Sequence, residues 1–225
     1  MEGTATVVKH TGSHYLLAQL PSWRLFPAVL RGKVRLKGSS ATNPVAVGDK
    51  VEFHADGDCL SDGSVPATET DPAAITAILP RRNYIIRKSV NLSRQAHIIA
   101  ANVDRAFIVV TLAFPEVKLP FIDRLLVTCE VYGVKPVIVL NKSDIVDEFR
   151  DEFAEAHANF RRIYEGAGYR ILEVSAKTGA GVDKLRALCL EKSEDGMPSI
   201  SLFSGVSGVG KSSLIKAMDP SLNPK

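Results

Sequence analysis

The chain has 225 residues, 45% of them hydrophobic and 24% charged, the balance of a globular protein with room for one large domain or two modest ones. Its longest apolar runs, residues 106–112 and 136–140, are strand-sized and too short to span a bilayer. Residues 1–9 lack the basic start and apolar centre of a signal peptide, so a cytoplasmic protein without membrane contact is expected.

Cys59, Cys129 and Cys189 are odd in number and widely spaced, which argues for reduced thiols and against a zinc site in this stretch. All three are expected to act as small buried hydrophobes. The net charge of +3 is unevenly spread. Residues 1–71 carry 7 basic and 8 acidic side chains, residues 72–103 carry 5 basic and none acidic, and residues 104–225 carry 16 and 17. The excess therefore sits on Arg81, Arg82, Arg87, Lys88 and Arg94, and a second acid-free stretch holds Arg31, Lys33, Arg35 and Lys37. Concentrated positive charge suits phosphate backbones, although a solvated linker would carry the same charge.

In chain order, residues 4–9 and 15–19 read as strands flanking a tight turn at Thr11, Gly12 and Ser13. Residues 29–36 alternate apolar with basic or small side chains, as a half-buried strand does. Residues 51–54 and 74–79 supply two more strands, separated by a long, mobile loop at 56–71. Five short strands within residues 1–80 fit a β-barrel of the oligonucleotide/oligosaccharide-binding (OB) type, followed by a basic linker at 81–103.

From residue 104 the texture changes to alternating strand and helix. Strands are predicted at 105–111, 135–140, 169–174 and 199–203, and helices at 120–132, 145–165, 182–190 and from about Lys211. Such alternation implies a three-layer α/β domain with a mostly parallel sheet, and ligand chemistry at the carboxyl ends of its strands.

Gly205, Val206, Ser207, Gly208, Val209, Gly210, Lys211 and Ser212 fit the phosphate-loop pattern G-x-x-x-x-G-K-[S/T], with Ser213 following. The glycines let backbone N–H groups converge on phosphates. Lys211 is the catalytic candidate for the β- and γ-phosphates, and the Ser212 hydroxyl the candidate ligand of Mg²⁺. A glycine-rich turn matching by coincidence is the competing reading.

The loop alone does not choose the base. In Asn141, Lys142, Ser143 and Asp144, the carboxylate can accept hydrogen bonds from guanine N1–H and the 2-amino group, whereas adenine would leave it unpaired at a cost of about 1–3 kcal/mol. The Lys142 stem can cover one face of the base, and Asn141 can brace neighbouring loops. Taken alone, the tetrapeptide could be an ordinary helix start capped by Ser143 or Asp144, a reading that its place directly after the strand at 135–140 weakens. Ser175, Ala176 and Lys177 end the next strand, with the Ala176 N–H offered to guanine O6 and Lys177 to the other base face.

The base-reading motifs precede the phosphate loop, the reverse of ordinary small GTPases. With the barrel in front, the chain resembles the ribosome small subunit-dependent GTPase family (RsgA, also called YjeQ), a circularly permuted family. Further resembling stretches are Gly48, Asp49, Lys50 and Val51; Arg81, Arg82 and Asn83; and residues 123–127. The resemblance implies an Mg²⁺-dependent GTPase that binds GTP and GDP, acts late in assembly of the small ribosomal subunit, and is stimulated by that subunit; nothing in the sequence demands a partner chain, so a monomer is expected. It also implies that the barrel and linker contact ribosomal RNA.

The family pattern continues past the phosphate loop into a switch region, an Asp-x-x-Gly motif and a zinc-binding C-terminal domain. This chain reaches Lys225 only 14 residues after Lys211, with Asp219 its sole acid beyond Ser212. The GTPase domain at 104–225 is therefore expected to be partial, short of a strand and weak in hydrolysis. Gly208 stands where potassium-assisted GTPases carry Asn, so potassium is not expected. His97 and His157 are expected to be structural or surface residues.

Overall fold

The first five strands contribute apolar side chains to one shared interior, and they close on themselves. The computed structural model describes residues 1–31, 44–88 and 96–222. In it β1 (Glu2–Thr11), β2 (His14–Gln19), β3 (Arg24–Leu30), β4 (Lys50–His54) and β5 (Ala73–Ile78) form a closed barrel in the order β1-β2-β3-β5-β4. The β3–β5 pairing is parallel and the rest are antiparallel, as expected of an OB-type barrel. Thr11 pairs with His14, leaving Gly12 and Ser13 as a two-residue hairpin loop. In β4, Val51 and Phe53 point inward while Lys50 and Glu52 face solvent. Val7, Leu17, Val51 and Ile75 are fully buried, and so are the tilted, contacting rings of Phe26 and Phe53, whose centroids lie 4.8 Å apart.

Two expectations for this region change. The third strand begins at Arg24 rather than residue 29, and its expected continuation, with Lys33, Arg35 and Lys37, lies outside the described residues. The 56–71 loop has no strand or helix, yet it is internally bonded: Gly63 N donates to Leu60 O at 2.7 Å, and Ser64 donates from N and Oγ to Asp62 at 2.8 and 2.6 Å. Those Ser64 hydrogen bonds hold the Asp62 carboxyl below its usual range.

The segment read as a basic linker contains a hairpin, β6 (Tyr84–Lys88) with β7 (Ala96–Ala101), and it falls in one unit with the barrel, Met1–Val103 plus Gly196–Pro198. A buried polar clasp ties it there. The Arg81 guanidinium grips both carboxylate oxygens of Asp49 at 2.6 Å and donates to Pro44 O at 2.9 Å. Both side chains are inaccessible, at 8% and 0% exposure. Asp49 also accepts from Ala46 N at 2.8 Å. Beside it the Asn102 amide donates to Gly48 O at 2.9 Å and accepts from Arg82 N at 2.8 Å. Gly48 sits at φ +90°, where a Cβ would lie 2.0 Å from the Ala101 carbonyl oxygen, so the approach requires glycine. This corrects the sequence reading of Arg81 as an RNA contact: its fork is already filled by a buried carboxylate. Arg31 and Arg82 are exposed, whereas the side chains of Arg87 and Lys88, all of Arg94 and the side chain of His97 lie outside the described part.

The second unit comprises Asp104–Asp195 and Ser199–Lys225. Its sheet has the order β10-β9-β8-β11, with β8 (Arg105–Val110), β9 (Lys135–Leu140), β10 (Ile171–Glu173) and β11 (Ser201–Ser204) all parallel. The helices are α1 (Leu119–Val131), α2 (Ser143–Glu148), α3 (Arg150–Gly166), α4 (Val182–Leu190) and α5 (Lys211–Met218). Strands β8 and β9 read as near-continuous apolar runs because both faces are covered, and Phe107, Val109, Ile138 and Val139 are fully enclosed. The single helix expected at 145–165 is broken at Phe149, whose φ of −112° and ψ of 45° end α2 and begin α3. Helix α3 packs its Tyr164 against α1, where the phenol donates to Asp123 at 2.9 Å. Burial, helped by that carboxylate, pushes the Tyr164 phenol well above its usual range.

Cysteine burial also departs from expectation: Cys129 is buried, Cys189 is half-buried and Cys59 is exposed. Burial pushes the Cys129 thiol up to about 11, so it stays protonated and unreactive at neutral and mildly alkaline pH. Alkylation at pH 8 followed by peptide mapping is expected to modify Cys59 first and Cys129 only on unfolding; early labelling of Cys129 would contradict its burial. Replacing Arg81 by Met strands the Asp49 carboxylate in an apolar site, which is expected to cost about 3–5 kcal/mol in urea unfolding. An unchanged midpoint would refute the clasp.

Candidate nucleotide site

Parallel strands in register deliver their following loops to one edge of the sheet. Val110 pairs with Leu140, Leu140 with Glu173, and Ile108 with Ser204, so the chains leaving β8, β9, β10 and β11 emerge side by side. The residues singled out in the sequence follow three of these strands.

Asn141, 2% exposed, is first after β9. Its backbone N–H donates to Val110 O at 2.8 Å. Its side-chain amide donates to the Val209 carbonyl of the phosphate loop at 2.8 Å and accepts from Ala176 N at 3.2 Å. One side chain thus links the loops after β9, β10 and β11. Lys142 adopts φ +65°, a left-handed conformation that is rare for lysine, and caps α2. Its ammonium donates to the Phe114 carbonyl in the loop after β8.

Ser143 and Asp144 open α2, with Ser143 N bonded to Val174 O at 3.0 Å. Neither acts as a side-chain cap, so the ordinary helix-start reading loses its support. The Asp144 side chain is 14% exposed; Oδ1 accepts from Ser175 Oγ at 2.6 Å, and Oδ2 lies 3.8 Å from the Lys177 ammonium. Ser175 is fully buried and its hydroxyl also accepts from Thr178 N at 3.1 Å, so it orients the carboxylate and shapes its own loop. Lys177 is exposed. The Ala176 N–H, expected to face the base, is directed instead at Asn141.

In the phosphate loop, Gly205, Val206, Gly210 and Lys211 are half-buried, Val209 is buried, and Ser207, Gly208, Ser212 and Ser213 are exposed. Gly210 has φ +92° and caps α5; a Cβ there would stand 2.4 Å from the Asn141 amide nitrogen. Only glycine lets Asn141 reach Val209. The Lys211 ammonium lies across the loop, donating to the carbonyls of Gly205 at 2.9 Å and Val206 at 2.8 Å. Ser212 presents its hydroxyl in the first turn of α5, where orphan N–H groups and the helix dipole favour anions.

Among the described residues no group of three His, Cys, Asp or Glu is placed to hold a metal. The exposed Ser212 hydroxyl is an oxygen donor of the kind that Mg²⁺ takes together with water and phosphate oxygens. His157 lies 3.0 Å from Glu173, which also receives Arg161 at 2.8 Å, so it belongs to an ion-pair cluster. Sequence reasoning missed the buried hydroxyl of Ser175 and the residues around Phe114. The only available signal was their position just after strands of the sheet.

Residues 78–225 match the sequence profile of the RsgA GTPase family. A small ribosomal subunit biogenesis GTPase RsgA of Flavobacterium johnsoniae is 41% identical over 222 residues, covering 99% of this chain and 62% of that protein. Its Bacteroides fragilis namesake is 40% identical over 219 residues, covering 97% and 63%. The chain thus spans about 62% of the length of the curated relatives it matches. The crystal structure of YjeQ from Thermotoga maritima superposes with a TM-score of 0.72 at 31% identity, covering 100% of this chain and 68% of that one. YloQ, described as a circularly permuted GTPase, gives 0.65 at 22% identity over 98% and 66%, a likeness of fold.

Replacing Asn141 by Asp turns the amide donor into a second acceptor facing the Val209 carbonyl. A loss of about 1–3 kcal/mol in stability is expected, with faster hydrogen exchange at the amides of residues 206–211. Unchanged exchange there would show that Asn141 does not hold the loop.

Proposed function

The chain belongs to the RsgA GTPase family, and we propose that it binds guanine nucleotides and hydrolyses GTP in the service of small ribosomal subunit assembly, with turnover stimulated by that subunit. The observation that carries this reading is the Asn141 bridge, which sets the loop bearing Asp144 and the loop bearing Lys211 a fixed distance apart. A ligand satisfying both ends has a base with adjacent ring and exocyclic donors at one end and a phosphate chain at the other. Guanosine phosphates meet that description.

Each group has a defined task. Asp144, steadied by Ser175, accepts from guanine N1–H and the 2-amino group. Lys142 and Lys177 cover the two base faces, and Ser143 fixes the start of α2. The backbone of Gly205, Val206, Ser207, Gly208, Val209 and Gly210 wraps the phosphates, aided by the first amides of α5 through Ser212 and Ser213. Lys211 stabilises negative charge on the β- and γ-phosphates. Mg²⁺, when bound beside Ser212, supplies electrostatic stabilisation of the same oxygens.

The proposal extends to ribosomal RNA through Arg31, Arg82, Arg87 and Lys88, and through Lys33, Arg35 and Lys37, with Arg81 set aside as part of the clasp. Concentrated cations release counterions from a phosphate backbone, so binding should weaken steeply with salt. Among the described residues no helix is long and apolar enough to cross a membrane. A monomer working in the cytoplasm fits this reading.

GTP turnover by the protein is expected to rise when purified small subunits are added, and ATP should substitute poorly; equal use of ATP would sink the base-reading argument, and indifference to subunits the ribosomal one. The change Asp144→Asn places a donor where a second acceptor is wanted and is expected to weaken GTP binding about 10- to 100-fold in titration calorimetry, corresponding to about 1–3 kcal/mol. Lys211→Ala should reduce affinity for GTP more than for guanosine, and equal losses would remove the lysine from the phosphates.

A further inference from the structure

The loop between β8 and α1 belongs to neither the base-reading motifs nor the phosphate loop, yet it touches both. Thr111, 1% exposed, closes it twice: its hydroxyl donates to Pro115 O at 2.5 Å, and its carbonyl accepts from Val117 N at 3.1 Å. Inside that closure Phe114 takes φ +51° and is 72% exposed, and its carbonyl accepts from the Lys142 ammonium. Pro115 stands against the phosphate loop, its Cδ 3.4 Å from where a Cβ on Gly208 would lie. The loop is thus fixed from within by Thr111 and abuts the phosphate loop, and it presents one carbonyl to the lysine of the base-reading motif.

We propose that the 111–117 loop is a third arm of the guanine site, with Thr111 as the positioning residue that holds Lys142 stretched across the base through the Phe114 carbonyl. The inference rests on the guanine-site reading above. A lysine stem has four rotatable bonds and loses much freedom when ordered; an acceptor fixed in advance removes most of that loss from the binding step. The stem contacts the face of the base and cannot sense its edge. Thr111 therefore governs how long a purine nucleotide stays, while Asp144 governs which purine is chosen.

Dissociation of fluorescent GDP and fluorescent IDP, measured by stopped flow on the protein and its variants, separates these roles. Thr111→Val is expected to speed release about three- to tenfold, the loss of one hydrogen bond's worth of positioning, and by the same factor for both nucleotides. Thr111→Ser, which keeps the hydroxyl, should restore the parent rate. Lys142→Met should also speed release, and adding Thr111→Val to it should change the rate by less than twofold, since the group being positioned is already gone. Parent-like release from Thr111→Val, or effects that multiply in the double variant, would overturn the proposal. If Thr111→Val does not fold, parent-like release from Lys142→Met overturns it independently. Failure of the parent protein to bind either nucleotide would instead bring down the guanine-site reading.

Discussion

Everything at the carboxyl edge of the second unit's sheet depends on a single buried amide. Asn141 has one donor group and one acceptor on its side chain, and the structure commits both, to Val209 and to Ala176, while its backbone is tied to Val110. A hydroxyl could not span two loops on opposite sides, and a carboxylate would face a carbonyl with like polarity. The amide also explains Gly210, since the space a side chain would take is filled by the Asn141 nitrogen. Two features that look independent along the chain are thus one contact, and the low dielectric around it makes the contact hard to break.

The first unit is organised on the same logic with charge in place of an amide. The Asp49–Arg81 pair is fully enclosed and each oxygen has a partner, which is the condition under which a buried ion pair is tolerated. The neighbouring Asn83 and Asn102 side chains satisfy backbone groups of Val103, Gly48 and Arg82. Barrel and hairpin are therefore joined through specific polar geometry, and Ile85, Ile98 and Ala100 of the hairpin are themselves buried. The basic character of this stretch then divides by residue: Arg81 is buried in the ion pair, Arg82 is exposed while its guanidinium donates to Asn102 O at 3.3 Å, and Arg31 is exposed.

The sequence made the strands and the motifs legible because each rests on a strong local signal. Continuous apolar runs marked β8 and β9, and the glycine-rich loop sat between a strand and a helix as the phosphate pattern requires. The rest depended on contacts distant in sequence. Nothing local distinguishes Arg81, which meets a carboxylate 32 positions away, from Arg82 beside it. The break at Phe149 has no glycine or proline to announce it, and its acidic and basic neighbours looked like one continuous helix. Cys59 was assigned to the interior by residue type, but it lies in a loop whose order comes from side-chain bonds to Asp62. The role of Ser175 was hidden because a serine before an alanine and a lysine says nothing about the aspartate it will meet 31 residues earlier.

Lys211 carries a consequence of its own. Its ammonium is already engaged by two carbonyls of the loop it serves. Two of its three N–H donors are thereby occupied, so the third can meet an anion while the lysine stays tied to the loop, and only further bonds to that anion require an exchange of partners. Neutral polar molecules gain nothing from such an exchange, because a backbone carbonyl matches them. A doubly charged phosphate gains on every bond it replaces. The lysine's attachment to its own backbone thus fixes where its charge stands before any visitor arrives, and it favours a charged visitor over a neutral one.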